Sequence, residues 1–107
     1  MATKLNIVID QGSTFSSEIT VLDDDDTPVD FTGYTANSQM RKSFSSSTAY
    51  AFTVATSNVG IITLSMNAAT TNAISAGRYV YDVEVEAGGV RSRLVEGIVV
   101  VSPQVTR

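Results

Sequence analysis

The side chains in this sequence that could do chemistry are few. There is no histidine and no cysteine, which removes the commonest general bases, thiol nucleophiles and soft metal ligands at once. Lys4 and Lys42 are the only lysines that could act as an amine base. Serines are abundant, yet none lies in a nucleophile-elbow pattern. The glycines form neither a G-x-G-x-x-G run nor a P-loop, so nucleotide phosphates have no cradle. This inventory predicts a protein that is not an enzyme and that holds no cofactor.

Two charged groupings remain. Residues 23–26 are four consecutive aspartates and could offer hard oxygen ligands to calcium. They lack the alternating D-x-[DN]-x-[DN]-G order and distal glutamate of an EF-hand loop, and neighbouring loop side chains diverge. A solvated turn that discourages edge pairing is the expectation, with no metal bound. The second grouping is Glu84 and Glu86 on one strand, facing Arg91 and Arg93 on the next. In a hairpin turning at Gly88-Gly89 these would form cross-strand ion pairs, or a charged surface for a neighbouring subunit.

Seven basic residues stand against eleven acidic ones, for a net charge of −4. The five arginines, Arg41, Arg78, Arg91, Arg93 and Arg107, are scattered among acidic neighbours. A nucleic-acid partner, which calls for a basic stripe, is not expected. Neither is a membrane partner: the longest apolar run, residues 98–101, falls far short of the ~20 residues of a spanning helix. The first residues run straight into alternation and do not look like a signal peptide. The lack of cysteine suits synthesis and assembly in a reducing cytoplasm.

The elements that would position these groups follow a period of two from end to end. Residues 4–10 form a first strand with Leu5, Ile7 and Ile9 on one face, and residues 17–23 a second with Ile19 and Val21 inward. Residues 35–42 alternate Ala36, Ser38 and Met40 against Asn37, Gln39 and Arg41. The serine-rich residues 43–48, with Phe44 among them, read as a contact loop or a plain connection. Residues 50–55 and 61–66 are two further strands. Residues 67–76, alanine- and threonine-rich and without alternation, are the one segment that could turn helically, though a short connection is expected over a packed helix. Residues 78–86 carry Tyr79, Tyr81, Val83 and Val85 inward, leaving Val80 as an isolated exposed valine. Residues 90–101 return after the diglycine turn, with a bulge expected at Glu96-Gly97.

Seven strands without a convincing helix predict an all-β, immunoglobulin-like antiparallel β-sandwich in a single domain, residues 1–107. The stretch 75–81 looks like the start of strand F in such domains. Tyr79 would be the corner tyrosine, its hydroxyl bonded to upstream backbone. Tyr81 would take the place of the cysteine, with no disulfide or tryptophan beside it.

Three stretches carry a resemblance. Pro28-Val29-Asp30-Phe31-Thr32-Gly33-Tyr34-Thr35 followed by Gln39-Met40-Arg41-Lys42 resembles the "P-x-D-L-T-G-Y-T … Q-x-R" pattern of small phage virion proteins. Gly77-Arg78-Tyr79-Val80-Tyr81-Asp82-Val83 is similar to their "G-x-Y-x-Y-D-[VLI]" strand. Residues 96–107 look like their "EG-x-V-x-V-x-P-E-V-T-R" ending. Phe31 replaces the usual leucine and Gln104 the usual glutamate. The group comprises Ig-like structural proteins of tailed phages, including those of marine cyanobacteria, and the N-terminal domain of baseplate upper proteins.

What this resemblance implies is a non-enzymatic virion structural protein: a tail, baseplate or neck component, or a head decoration. It would be present in multiple copies, made in the host cytoplasm and built into the virion. Its partners would be other virion structural proteins and, as a homo-oligomer, further copies of itself. The expected interaction segments are the first strand with Leu5, Ile7 and Ile9, the loop at Phe44, the charged pair Arg91 and Arg93, and a tail with Val105 and Arg107. A free Ig-like adhesion or carbohydrate-binding module is the alternative. It would need aromatic platforms, for which only Phe44 and Tyr50 stand in suitable places.

Overall fold

The computed structural model describes residues 3–22, 25–43 and 45–104. The elements in chain order are β1 (Thr3–Lys4), β2 (Ile7–Asp10), β3 (Phe15–Thr20), β4 (Thr35–Arg41), β5 (Ala49–Ala51), β6 (Thr53–Thr56), β7 (Ile61–Met66), α1 (Ala68–Asn72), β8 (Gly77–Ala87) and β9 (Val90–Ser102). They make two sheets. The larger runs β1-β9-β8-β4-β5, with β2 also on β9, and the smaller runs β3-β7-β6. One of the two sheets curls into a half-barrel.

Alternation explains the core. Tyr79, Tyr81, Val83 and Val85 of β8 are all buried, and so are Val95, Val99 and Val101 of β9. From the smaller sheet, Ile19, Ile62 and Leu64 close over them. Phe52 joins the two layers, lying 5.9 Å from the Phe15 ring and 6.1 Å from the Tyr81 ring. Around Phe52 the chain leaves one sheet for the other. Its N–H donates to the Ser38 carbonyl at 3.0 Å, so the expected strand 50–55 is divided into β5 and β6. That division raises the count from the seven expected to eight, with β1 and β2 taken as one interrupted strand.

The first strand departs from the antiparallel expectation. Both β1 and β2 run parallel to β9, with Lys4 beside Glu96 and Ile7 beside Val99. Between them the ladder is interrupted. The Leu5 carbonyl turns inward to accept the Tyr81 hydroxyl at 2.7 Å, and the Ile98 N–H donates to Asn6 Oδ1 at 3.2 Å instead. Gly97 makes this possible: a Cβ there would overlap the Leu5 carbonyl and lie 3.2 Å from the Tyr81 ring.

Gly97 is therefore a close-approach glycine, and the bulge lies elsewhere. The β8–β9 register slips between Val83 and Glu84, where Val83 faces Val95 and Glu84 faces Arg93. Leu94 is the extra residue. It packs against the core from the bulge, which is how β9 keeps valines inward despite its phase shift. Further along the hairpin, Gly88 and Gly89 have φ of +58° and +82°. Ala87 and Val90 pair directly across them, the geometry of a two-residue turn that needs left-handed backbone.

The connection at 67–76 holds one short helix. Asn67 caps it by accepting the Thr70 N–H at 2.8 Å, and buried Thr71 donates its hydroxyl to the Ser13 carbonyl at 2.7 Å. Of the acidic run, Asp23 and Asp24 lie outside the described residues. Asp26 has φ of +61°, a left-handed turn conformation that aspartate tolerates better than most residues.

Candidate functional site

The outer face of the large sheet gathers most of the charged side chains, and the ladder registers give its rows. Gln39 of β4, Asp82 of β8, Glu96 of β9 and Lys4 of β1 form one row. Asn37, Glu84 and Arg93 form the next, and Arg41, Val80 and Ile98 lie on the other side. Asn37, Gln39, Arg41, Asp82, Glu84, Arg93 and Glu96 line a polar depression of about 540 Å³ there.

Arg93 organises the depression. Its Nε lies 3.3 Å from Asp82 Oδ2 and its Nη1 lies 3.4 Å from Glu96 Oε2. The bulge at Leu94 accounts for this choice of partners. Arg93 stands opposite Glu84, as the hairpin predicts, but reaches the two carboxylates beyond the bulge. Arg91 does pair with its expected partner, Glu86, at 3.4 Å. Burial raises the Asp82 carboxyl above its usual range, and the nearby Glu84 charge adds to that, while Arg93 opposes both. Arg41 is held by its own loop: Nη1 donates to the Ser46 carbonyl at 2.6 Å and Nη2 to Gln39 Oε1 at 3.1 Å. The result is a cross-neutralised polar surface with spare acceptor oxygens. Among the described residues no three potential ligands gather as a metal site.

Beside this polar area lies an apolar strip. Val8 is 65% exposed and Val100 is 42% exposed, and the two are partners in the β2–β9 ladder. Half-buried Ile98 and Val80 continue the strip inward as a cross-strand pair. Val80 is thus part of a patch and not the isolated exposed valine expected. The patch ends at β2, the edge strand of the sheet.

These positions revise the expected interaction segments. Ile7 and Ile9 are core residues, 6% and 0% exposed; their alternation turns both side chains inward, so any contact through this segment falls to its backbone and its outward side chains. Leu5, expected on their face, is 38% exposed, because the interruption releases it from the alternation. Phe44, Val105 and Arg107 lie outside the described residues. The tail is tied down as far as Gln104, whose N–H donates to Gln11 Oε1 at 3.1 Å. Gln11 Nε2 in turn donates to the Ile74 carbonyl at 2.9 Å. Tyr50 stacks edge-on against Tyr79, 6.1 Å away, and is not a free platform.

Sequence reasoning missed Val8, Val100 and Asp10 as surface residues of one edge. A signal existed: residues 98–101 are apolar without alternation, so a strand there must show apolar side chains on both faces.

No protein-family model matches the chain, and no curated protein does. Among solved structures it is similar to part of a family 123 glycoside hydrolase from Clostridium perfringens, a structure concerned with glycolipid glycan hydrolysis, at 13% identity and a TM-score of 0.45. The match covers 95% of this chain and 23% of that one, so the chain spans about a quarter of the enzyme's length. A likeness of that size carries no argument about activity.

Proposed function

We propose that this chain is a non-enzymatic structural module of a tailed-phage particle, present in several copies and bound to other virion proteins. We propose further that its two sheets are a variant of the immunoglobulin-like sandwich. Supporting the latter is the strand order, with the first strand parallel to the last at the edge of the larger sheet. Tyr79 supports it too: buried, it donates its hydroxyl to the Ser75 carbonyl at 2.7 Å, as a corner tyrosine does.

The functional reading rests on one observation beyond the motif resemblance. The strip of Val8 and Val100 meets an edge strand carrying no proline. An edge with open backbone groups next to exposed valine is a liability for a free monomer and an asset for a part that is covered in an assembly. The carbohydrate-module reading draws no comparable support, since Tyr50 is spent on Tyr79.

The test is the stoichiometry of this chain in purified particles of the phage that encodes it, by quantitative mass spectrometry. Several copies per particle are expected. Absence from particles, with the chain recovered only in the soluble lysate, overturns the reading.

A further inference from the structure

We propose that the edge of the first strand, which no other strand covers among the described residues, pairs with the same edge of a second copy of this chain, in an antiparallel ladder centred on Ile7. This deepens the reading of the chain as a repeated assembly part, and it assigns the residues that meet.

The phase of the edge follows from two hydrogen bonds. The Leu5 N–H donates to the Glu96 carbonyl at 2.9 Å and the Gln11 N–H to the Ser102 carbonyl at 3.0 Å. Along a strand, successive residues aim their N–H and C=O to opposite sides. Odd-numbered residues from 5 to 11 therefore face β9. The pairs Lys4–Glu96 and Ile7–Val99 keep one offset, so the interruption neither adds nor removes a residue. Lys4, Asn6, Val8 and Asp10 consequently turn their backbone groups to the open side.

An antiparallel self-pairing must place outward-facing residues opposite one another to form its hydrogen-bonded pairs. Centring on Ile7 satisfies this: Asn6 meets the second copy's Val8, and Lys4 meets the second copy's Asp10, each twice by symmetry. Centring on Leu5 sets Lys4 against Asn6, and centring on Ile9 sets Asp10 against Val8. Only the Ile7 register opposes the two charges. Both are exposed, and neither makes an ion pair among the described residues. They lie on the outer face together with Val8, so the two copies' Val8 side chains become diagonal neighbours and extend the strip through Val100 across the junction. The Asp10 carbonyl already accepts the Ser13 N–H at 3.1 Å, which ends the ladder at the following turn. One short strand carries both halves of a charge match to itself, and this favours a second copy over a protein of different sequence.

Charge reversal tests the register. By light scattering or sedimentation, the intact chain should show twice the mass of one copy. Lys4→Asp alone, or Asp10→Lys alone, sets like charges against each other at both ends and should raise the dimer Kd roughly ten- to a hundredfold. Mixing the two single variants should restore the dimer as a heterodimer, because each then supplies the charge the other lacks. The doubly reversed chain should dimerise with itself. Circular dichroism of each variant confirms that the sheets are intact. A monomeric intact chain, single variants that dimerise as well as the parent, or a mixture that stays monomeric would each overturn the proposal. A monomer in solution that is nonetheless found in particles overturns edge pairing and leaves the virion reading standing; a dimer absent from particles does the reverse.

Discussion

Replacing Tyr81 with phenylalanine removes one oxygen atom and should loosen the whole first strand. The hydroxyl donates to the Leu5 carbonyl at 2.7 Å, and Tyr81 is 3% exposed. In a regular parallel ladder that carbonyl would accept the Ile98 N–H, but here Asn6 Oδ1 has taken that donor at 3.2 Å. Tyr81→Phe thus leaves a carbonyl wedged against Gly97 with no donor. The expected cost is about 1–2 kcal/mol, or a fall in Tm of roughly 4–12 °C for a domain of this size. Hydrogen exchange should quicken at Leu5 and Ile98 more than in the smaller sheet. There is also a pH signature. Burial pushes the Tyr81 hydroxyl from its ordinary 10.0 up to about 12, so folding favours its neutral form. Its contribution is complete below pH 10, the unfolded value, and is lost as pH rises through about 12. The parent should lose Tm more steeply than Tyr81→Phe across that window, with a late tyrosinate absorbance step that the variant lacks. An unchanged Tm with unchanged exchange at Leu5 would refute the reasoning, and would mean that the Ile98 N–H returns to the Leu5 carbonyl at no cost.

Tyr79→Phe should cost about 1–3 kcal/mol in chemical denaturation, since the Ser75 carbonyl loses its 2.7 Å donor; a neutral substitution would count against the corner role. Gly97→Ala should destabilise by about 1–3 kcal/mol through overpacking against the Leu5 carbonyl. Combined with Tyr81→Phe it should cost less than the two separately, because both act on that carbonyl; strict additivity in a double-mutant cycle would separate them. Millimolar calcium or EDTA should leave Tm unchanged if residues 23–26 form a solvated turn. A stabilisation near ~2.7 kcal/mol, the effect of a ligand at a hundredfold its Kd, would instead mark a calcium site.

Period-two patterning by itself determined where most strands lie and which way they face. Residues 61–66 match β7 at both ends, and Tyr79, Tyr81, Val83 and Val85 point inward as their alternation requires. The diglycine turn was legible because only a few residue types accept left-handed backbone at both of its positions. Such features depend on residues close in sequence, where pattern and propensity act directly. What the tertiary structure alone decided involves partners far apart along the chain. Leu5 meets Tyr81 and Gly97 only because the first strand lies parallel to the last, and no local pattern distinguishes a parallel neighbour from an antiparallel one. That choice interrupted the ladder at Leu5, released its side chain to the surface and moved the glycine's role from bulge to close contact. Likewise Arg93 exchanged its hairpin partner for Asp82 and Glu96, because a single extra residue at Leu94 changes the direction of a side chain without changing the sequence spacing from which pairs are read.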